Sequence, residues 1–376
     1  MDPESENELS GMIAGAEGPL RIVGGGTQGV GGTVEGDVLS TAGLSGVVEY
    51  EPGALTLVVK AGTPVAEIEK VLAAEGQRLA FEPMDYRGLM GTKGAPTIGG
   101  VVAGNVSGPR RIAVGACRDF LLGVRFVDGM GRVLKNGGRV MKNVTGYDLV
   151  KLMAGSRGTL GVLSEVSFKV LPEPPARAVL LIEGLSDAEG VEALTRALTS
   201  PFEVSGAAHV PKGVDGAPVT MIRIEGFSDS VAYRADQLKA LLAGFGAAQV
   251  ETDAEQTAAG WRWVRDVEAF HGSDGDVWRY SVAPGDGPVL GEVLRGMGAK
   301  ELLYDWGGGL VWVLTPEGAD MRPAGMKGHA TLIRASANTK ARVAVFHPDP
   351  APIQKISQGL RDKFDPRGIL NPGLMS

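Results

Sequence analysis

The sequence has a single cysteine, Cys117, in 376 residues. No disulfide can therefore close within the chain, and no all-cysteine metal or iron–sulfur centre can be built from it. Its four histidines, His209, His271, His329 and His347, are scattered, which argues against a histidine-rich metal site. Basic residues are in deficit: 37 Lys and Arg against 44 Asp and Glu give a net charge of −7, the wrong sign for a nucleic-acid partner. No apolar run approaches the ~20 residues a membrane helix needs. The start, Met1-Asp2-Pro3-Glu4-Ser5-Glu6, is acidic with no apolar stretch, unlike a signal peptide. The expectation is a cytoplasmic chain with no direct membrane insertion.

Glycine is abundant instead. The 57 glycines are about 15% of the chain, against a usual ~7%. Such an excess marks backbone sites of positive φ or of close ligand approach, and the lack of a G-X-Y period excludes collagen. With 44% hydrophobic and 22% charged residues, the chain is globular and long enough for two domains.

Residues 18–172 read as short strands joined by glycine-rich turns. Val47 to Glu51 and Leu55 to Lys60 flank the turn signal Pro52-Gly53, and Phe120 to Val127 with Arg132 to Leu134 reads as a hairpin. One helix is clear, with Thr63 as its cap, Pro64 at its first position and Val65, Ile68, Val71 and Leu72 as its apolar stripe. The Pro172-Glu173-Pro174-Pro175 run marks a domain boundary. Beyond it glycines thin out and all five tryptophans appear. Strands alternate with helices at 188–198, 228–243 (capped by Ser228) and 289–297, which suggests an antiparallel sheet covered by helices on one face.

Gly24, Gly26 and Gly29 match G-x-G-x-x-G, but Val30-Gly31-Gly32-Thr33-Val34-Glu35-Gly36 cannot begin the helix that a dinucleotide-binding unit requires. The segment alone fits a phosphate cradle and a flexible surface loop equally. Two further clusters shift the balance: Gly94-Ala95-Pro96-Thr97-Ile98-Gly99-Gly100 running to Gly104-Asn105, and Gly155-Ser156-Arg157-Gly158-Thr159-Leu160-Gly161-Val162. Other features have ordinary readings. Trp261 and Trp263 fit a packed helix face, Cys117 a small buried residue, and Glu251 to Glu255 a solvated acidic turn. Tyr147-Asp148 fits an acid pair at a cofactor edge or a turn contact.

Together the loops at 23–28, 96–108 and 155–166 resemble the FAD-binding domain of the vanillyl-alcohol-oxidase/p-cresol-methylhydroxylase (PCMH) family, and Phe364 to Gly373 resembles its C-terminal signature. Lys142 to Leu149, Trp278 to Ser281, Asp305 to Gly309 and Gly328 to Leu332 are similar to the FAD-binding (E-type) subunits of bacterial glycolate oxidases. The resemblance implies an α+β chain: a two-subdomain PCMH-type FAD domain at 1–175, an antiparallel-sheet cap at 176–340, and a tail at 341–376 returning to the FAD domain. It implies noncovalent FAD, since the first loop lacks the histidine that often carries a covalent flavin. Gly24, Gly25, Gly26, Thr27 and Gln28, with Thr97, Ile98, Gly99 and Gly100, would line the pyrophosphate, and Val23 and Pro96 would also bind the cofactor. Gly104, Asn105, Ser107, Arg118, Asn143, Gly158, Thr159, Gly161, Val162 and Asn371 would lie near the rest of the cofactor.

Oxidising a 2-hydroxy acid requires a cation for its carboxylate, a base for its hydroxyl proton and access to the flavin. Relatives often use a histidine cluster with a metal, which this chain lacks. Arg279 and His329 are the remaining candidates for clamp and base. The partners implied are a larger catalytic FAD subunit and an iron–sulfur subunit of a glycolate oxidase complex, with a small 2-hydroxy acid as substrate. A stand-alone D-2-hydroxy-acid dehydrogenase and a non-catalytic scaffold are the alternatives.

Overall fold

The computed structural model describes residues 1–138 and 146–375. Its first element lies in the acidic N-terminal segment, where the sequence analysis places no helix. α1 (Glu6–Gly15) begins at Ser5, whose Oγ accepts from the Glu8 N–H at 3.2 Å, and Leu9 and Ile13, one turn apart, are fully buried.

β1 (Leu20–Val23) and β2 (Asp37–Ser40) pair in parallel, and no helix occurs in the glycine-rich stretch between them. β3 (Val47–Glu51) and β4 (Thr56–Lys60) are the expected pair around Pro52-Gly53. α2 (Val65–Ala74) is the expected amphipathic helix, but Thr63 does not cap it: Pro64 holds the N-cap position. The buried Thr63 hydroxyl bonds instead to the carbonyls of Lys60 (2.7 Å) and Gly46 (3.2 Å), because the turn before the helix brings those acceptors within reach. β5 (Gln77–Arg78) and four short helices follow: α3 (Arg87–Met90), α4 (Ile98–Gly104), α5 (Arg111–Val114) and α6 (Cys117–Phe120). β6 (Leu121–Val127) and β7 (Val133–Gly137) form the expected hairpin, and α7 (Leu149–Met153) leads into β8 (Val162–Lys169). β9 (Leu171–Pro172) pairs with β5. In the order β3-β4-β8-β6-β7 the longer strands make one antiparallel sheet.

The second sheet is built from β10 (Ala176–Glu183), β11 (Val204–Val210), β12 (Val219–Gly226), β13 (Gln249–Glu251), β14 (Asp276–Ser281), β15 (Glu301–Asp305), β16 (Leu310–Thr315) and β17 (His329–Arg334). Its order is β13-β10-β12-β11-β15-β16-β14-β17, antiparallel throughout. The two α/β units merge where His209 of β11 pairs with Tyr304 of β15. α8 (Asp187–Leu198), α9 (Ser228–Leu242) and α11 (Gly287–Gly296) cover one face, over Leu180, Ile182, Ile222, Tyr280 and Val311. Alternate residues, among them Val179, Leu303 and Trp312, turn the other way. They join Trp261 of α10 (Ala254–Arg265) and Ile68, Phe81 and Phe168 in one core between the sheets. Ser228 is the first residue of α9 and not its cap; Phe227 holds that position with no side-chain bond.

α12 (Ala337–Lys340) and α13 (Ala351–Phe364) precede the tail, which lies beside β1: Leu20 N–H donates to Ile369 O at 2.7 Å and Asn371 N–H to Leu20 O at 2.9 Å. Among the described residues no helix is long and apolar enough to cross a membrane.

Candidate functional site

The crossover between β1 and β2 borders a cavity of about 400 Å³. Val23, Gly24, Gly25, Gly26, Thr27 and Gln28 line it, together with Thr97, Gly99, Gly100, Gly104, Gly158, Gly161, Val162 and Asn371. Its wall is mostly backbone, and the glycines are what let two loops meet there. A Cβ on Gly25 would lie 1.5 Å from Ala95 O, and one on Gly94 would lie 1.7 Å from Gly25 O. At Gly26 the reason is conformational, φ being +67°. Several of these glycines thus serve loop-to-loop packing, so their number is not by itself a sign of a ligand.

The first loop does carry such a sign. Among the described residues, the backbone N–H groups of 25–31 find no acceptor within the chain, while those of Ile98 and Gly99 are taken by Thr63 O and Ala61 O. Unpaired amides around a cavity are donors for an anion. Arg21, Arg157 and Lys340 stand at the same cavity. Lys340 donates to Gly29 O at 3.0 Å, and burial holds its ammonium below its ordinary pKa. This donor set fits a dinucleotide pyrophosphate.

Asn371 is a clasp: its Oδ1 accepts from Ile22 N–H at 2.8 Å and its Nδ2 donates to Arg157 O at 2.8 Å, tying β1 to the third loop. The remaining expected ligands do not line this cavity. Pro96 O accepts from the first amide of α2, and Ile98 is buried. Asn105 closes α4 with φ +46°, and its Oδ1 accepts from Arg118 N–H. Ser107 Oγ accepts from Cys117 N–H, and Thr159 Oγ1 donates to Ser156 O. Asn143 lies outside the described residues. Cys117 is buried, and burial pushes its thiol far above the usual range, as suits a packing residue. Tyr147 is exposed, and Asp148 Oδ1 accepts from Lys151 N–H at the start of α7, which is a turn contact. At 251–255, Asp253 caps α10.

On the cap sheet, Arg279 pairs with Trp312 on one side and Thr331 on the other, on the face turned to the inter-sheet core. His329 pairs with Ser281 two residues along, so it is a diagonal neighbour of Arg279 on that same face. It is exposed, and its ring stands edge-on to His347 at 5.8 Å. Neither Arg279 nor His329 lines the glycine-loop cavity.

The two halves of the chain are joined by a ring of charges that nothing local in the sequence announces. Glu82 meets Arg110 at 3.0 Å and Arg223 at 3.1 Å, and Glu225 meets Arg110 at 2.8 Å, Arg78 at 3.1 Å and Arg223 at 3.7 Å. Burial pushes the Glu225 carboxyl up, but the bond from Arg110 and the charges of Arg223, Arg110 and Arg78 outweigh it and hold the group well below the carboxylate range. Close by, Trp306 Nε1 donates to Gly108 O at 3.1 Å. Asp305, fully buried before it, is pushed up to about 7 by burial, against the bond from Trp306 N–H.

The FAD binding domain family matches residues 1–137. Glycolate oxidase subunit GlcE of Escherichia coli (strain K12) is 37% identical over 364 residues, which is 95% of this chain and 92% of that one. Glycolate oxidase subunit GlcD of Bacillus subtilis is 33% identical over 185 residues, 48% of this chain and 38% of its own. D-2-hydroxyglutarate dehydrogenase of Xanthomonas citri pv. viticola is 33% identical over 186 residues, 48% of this chain and 38% of its own. Among solved structures, p-cresol methylhydroxylase with substrate bound superposes with a TM-score of 0.70 at 14% identity, covering 100% of this chain and 88% of that one. Alkyldihydroxyacetonephosphate synthase does so with 0.70 at 18%, covering 99% and 76%. The fold is therefore of the PCMH type, and its cofactor is FAD. With likeness to GlcE running through the loops, the cap sheet and the tail alike, the chain belongs to the family of that glycolate oxidase subunit.

Proposed function

We propose that this chain is the FAD-binding subunit of a glycolate oxidase complex and takes part in oxidising glycolate to glyoxylate. The observation that carries the reading is the 37% identity to GlcE over nearly the whole of both chains. The cavity wall supports it, since residues 25–31 offer amides with no acceptor among the described residues, where a pyrophosphate needs donors. We divide the chain into an FAD domain at 1–175, a cap at 176–340 and a tail at 341–376 that closes on the FAD domain.

Glycolate loses two electrons and two protons in becoming glyoxylate. FAD, when bound, would supply the hydride acceptor, taking both electrons and one of the two protons. Residues 24–31 hold its pyrophosphate, and Lys340 and Asn371 fix the loops around it. Arg279 receives the substrate carboxylate, and His329, open to solvent, takes the hydroxyl proton and releases it. The electrons would be taken up by partner subunits. We assign these as a larger FAD subunit and an iron–sulfur subunit, because one buried cysteine cannot hold a cluster here. The chain is cytoplasmic and meets a membrane only through those partners.

The test is the visible spectrum of the purified chain before and after anaerobic glycolate. The reading predicts flavin bands that bleach, in the isolated chain or once the partner subunits are added. Bands that stay oxidised with the whole complex and glycolate present would contradict it.

A further inference from the structure

Three cations line the glycine-loop cavity, Arg21, Arg157 and Lys340, and among the described residues no carboxylate lines it. Two of them grip the first loop itself. Lys340 Nζ donates to Gly29 O at 3.0 Å, and Arg157 Nη1 donates to Val30 O at 3.4 Å. They arrive from distant segments: Lys340 closes α12, just beyond the cap sheet, and Arg157 sits in the third glycine cluster. Arg157 is itself held fast. Its backbone has φ +52°, its N–H donates to Ala103 O at 2.9 Å, its carbonyl accepts from Asn371, and its guanidinium lies 5.0 Å from the Phe346 ring. The tail holds the next peptide, where Gly32 N–H donates to Leu374 O at 2.9 Å.

A trans peptide points its carbonyl and its N–H in opposite directions. Holding Gly29 O therefore fixes the direction of the Val30 N–H, and holding Val30 O fixes that of the Gly31 N–H. Both residues are buried, and their amides have no acceptor among the described residues. A buried N–H without a partner is costly, so two on adjacent residues mark a place where an acceptor belongs. The loop does not set their direction alone. Gly29 and Gly31, at φ +56° and +136°, flank the two peptides, and glycine at such positions lets a peptide turn at little cost. Side chains from outside the loop supply the constraint that the glycines do not.

We infer that Lys340 and Arg157 are positioning residues for the cofactor: by holding the carbonyls of Gly29 and Val30 they aim the amides of Val30 and Gly31 at the FAD pyrophosphate as a ready-made pair of donors. Both act through the loop, not by contact with the phosphate. A donor pair fixed before the cofactor arrives loses less freedom on binding, which raises affinity. The inference deepens the placing of the pyrophosphate at 24–31 and rests on it, and it does not depend on glycolate as the substrate.

The test titrates FAD, and riboflavin, which carries no phosphate, into the flavin-free chain by calorimetry. Lys340→Met keeps the apolar stem and removes the donor. It weakens FAD by about 10- to 100-fold, the worth of one charged hydrogen bond, and leaves riboflavin unchanged. Lys340→Arg restores a cationic donor and recovers most of the loss. The loss persists at about 1 M salt, where a bare charge contact is screened. Arg157→Met acts in the same direction, and melting curves confirm that each variant is folded. Equal loss of FAD and riboflavin would overturn the role by making Lys340 a structural prop. A loss that vanishes at high salt would also overturn it, by placing the charge on the phosphate itself. If the parent prefers FAD to riboflavin and Lys340→Met changes nothing, the positioning role falls and the pyrophosphate site stands. A parent that binds FAD no more tightly than riboflavin overturns the placing of the pyrophosphate, and the inference with it.

Discussion

The glycine-loop cavity and the charged ring are built by opposite means. In the first, two loops approach until the backbone of Gly25 touches that of Ala95, leaving no room for a side chain. In the second, long side chains reach across the join between the sheets, from Glu82 and Arg110 on one side to Arg223 and Glu225 on the other. A backbone-built site fails when atoms are added. A charge-built join fails when one charge is removed, because its partners stay buried. The cofactor region is therefore sensitive to size and the inter-sheet join to protonation.

The largest effect expected follows from size. Gly25→Val places carbon where Ala95 O stands, costs about 3 kcal/mol or more by overpacking, and abolishes flavin retention, read as loss of visible absorption. Next comes charge. Glu82→Gln leaves Arg110 and Arg223 short of a partner and lowers unfolding stability by about 3–5 kcal/mol, measured in denaturant.

The two kinds of buried acid also separate by pH. Glu82 and Glu225 have folded pKa values depressed below 4.5, so their stabilisation is present above that value and is lost as pH falls below it. Asp305 is the reverse: raised from 3.8 to about 7, it is favoured in the fold when protonated, and stability is lost as pH rises between those values. Asp305→Asn keeps the acceptor for Trp306 N–H and removes that loss, so at pH 8 it stabilises by a few kcal/mol, at 1.36 kcal/mol per pKa unit. An unchanged pH profile of melting temperature in this variant would contradict the assignment. The smallest effect is at the N-terminus, where Ser5→Ala costs about 1 kcal/mol through the lost cap of α1.

The same division explains what the sequence disclosed. Glycine clusters announce a backbone-built site because no other residue allows that approach, and the first loop and the hairpin over 128–131 are legible on such grounds, while the cap elements are legible from their alternating strand and helix patterns. Helix starts were less so. Thr63 and Ser228 have the chemistry of caps, yet one hydroxyl found carbonyls inside a turn and the other residue lay a position too late. Ser5, with Glu8 three residues on, carried a readable signal that the acidic start obscured. The ring joins residues more than a hundred positions apart, such as Glu82 and Arg223. No local spacing encodes such a meeting, and Lys340 reaches the cavity from a segment with no glycine signature.

We propose that the loop at 24–31, packed against Ala95, holds noncovalent FAD. The most direct measurement compares the visible spectra of the purified parent and Gly25→Val chains, with circular dichroism to confirm that both are folded, and then denatures each to release any flavin. A yellow parent that gives up its flavin on denaturation and a folded variant that carries none are the expected results. A folded Gly25→Val chain retaining as much flavin as the parent would contradict it.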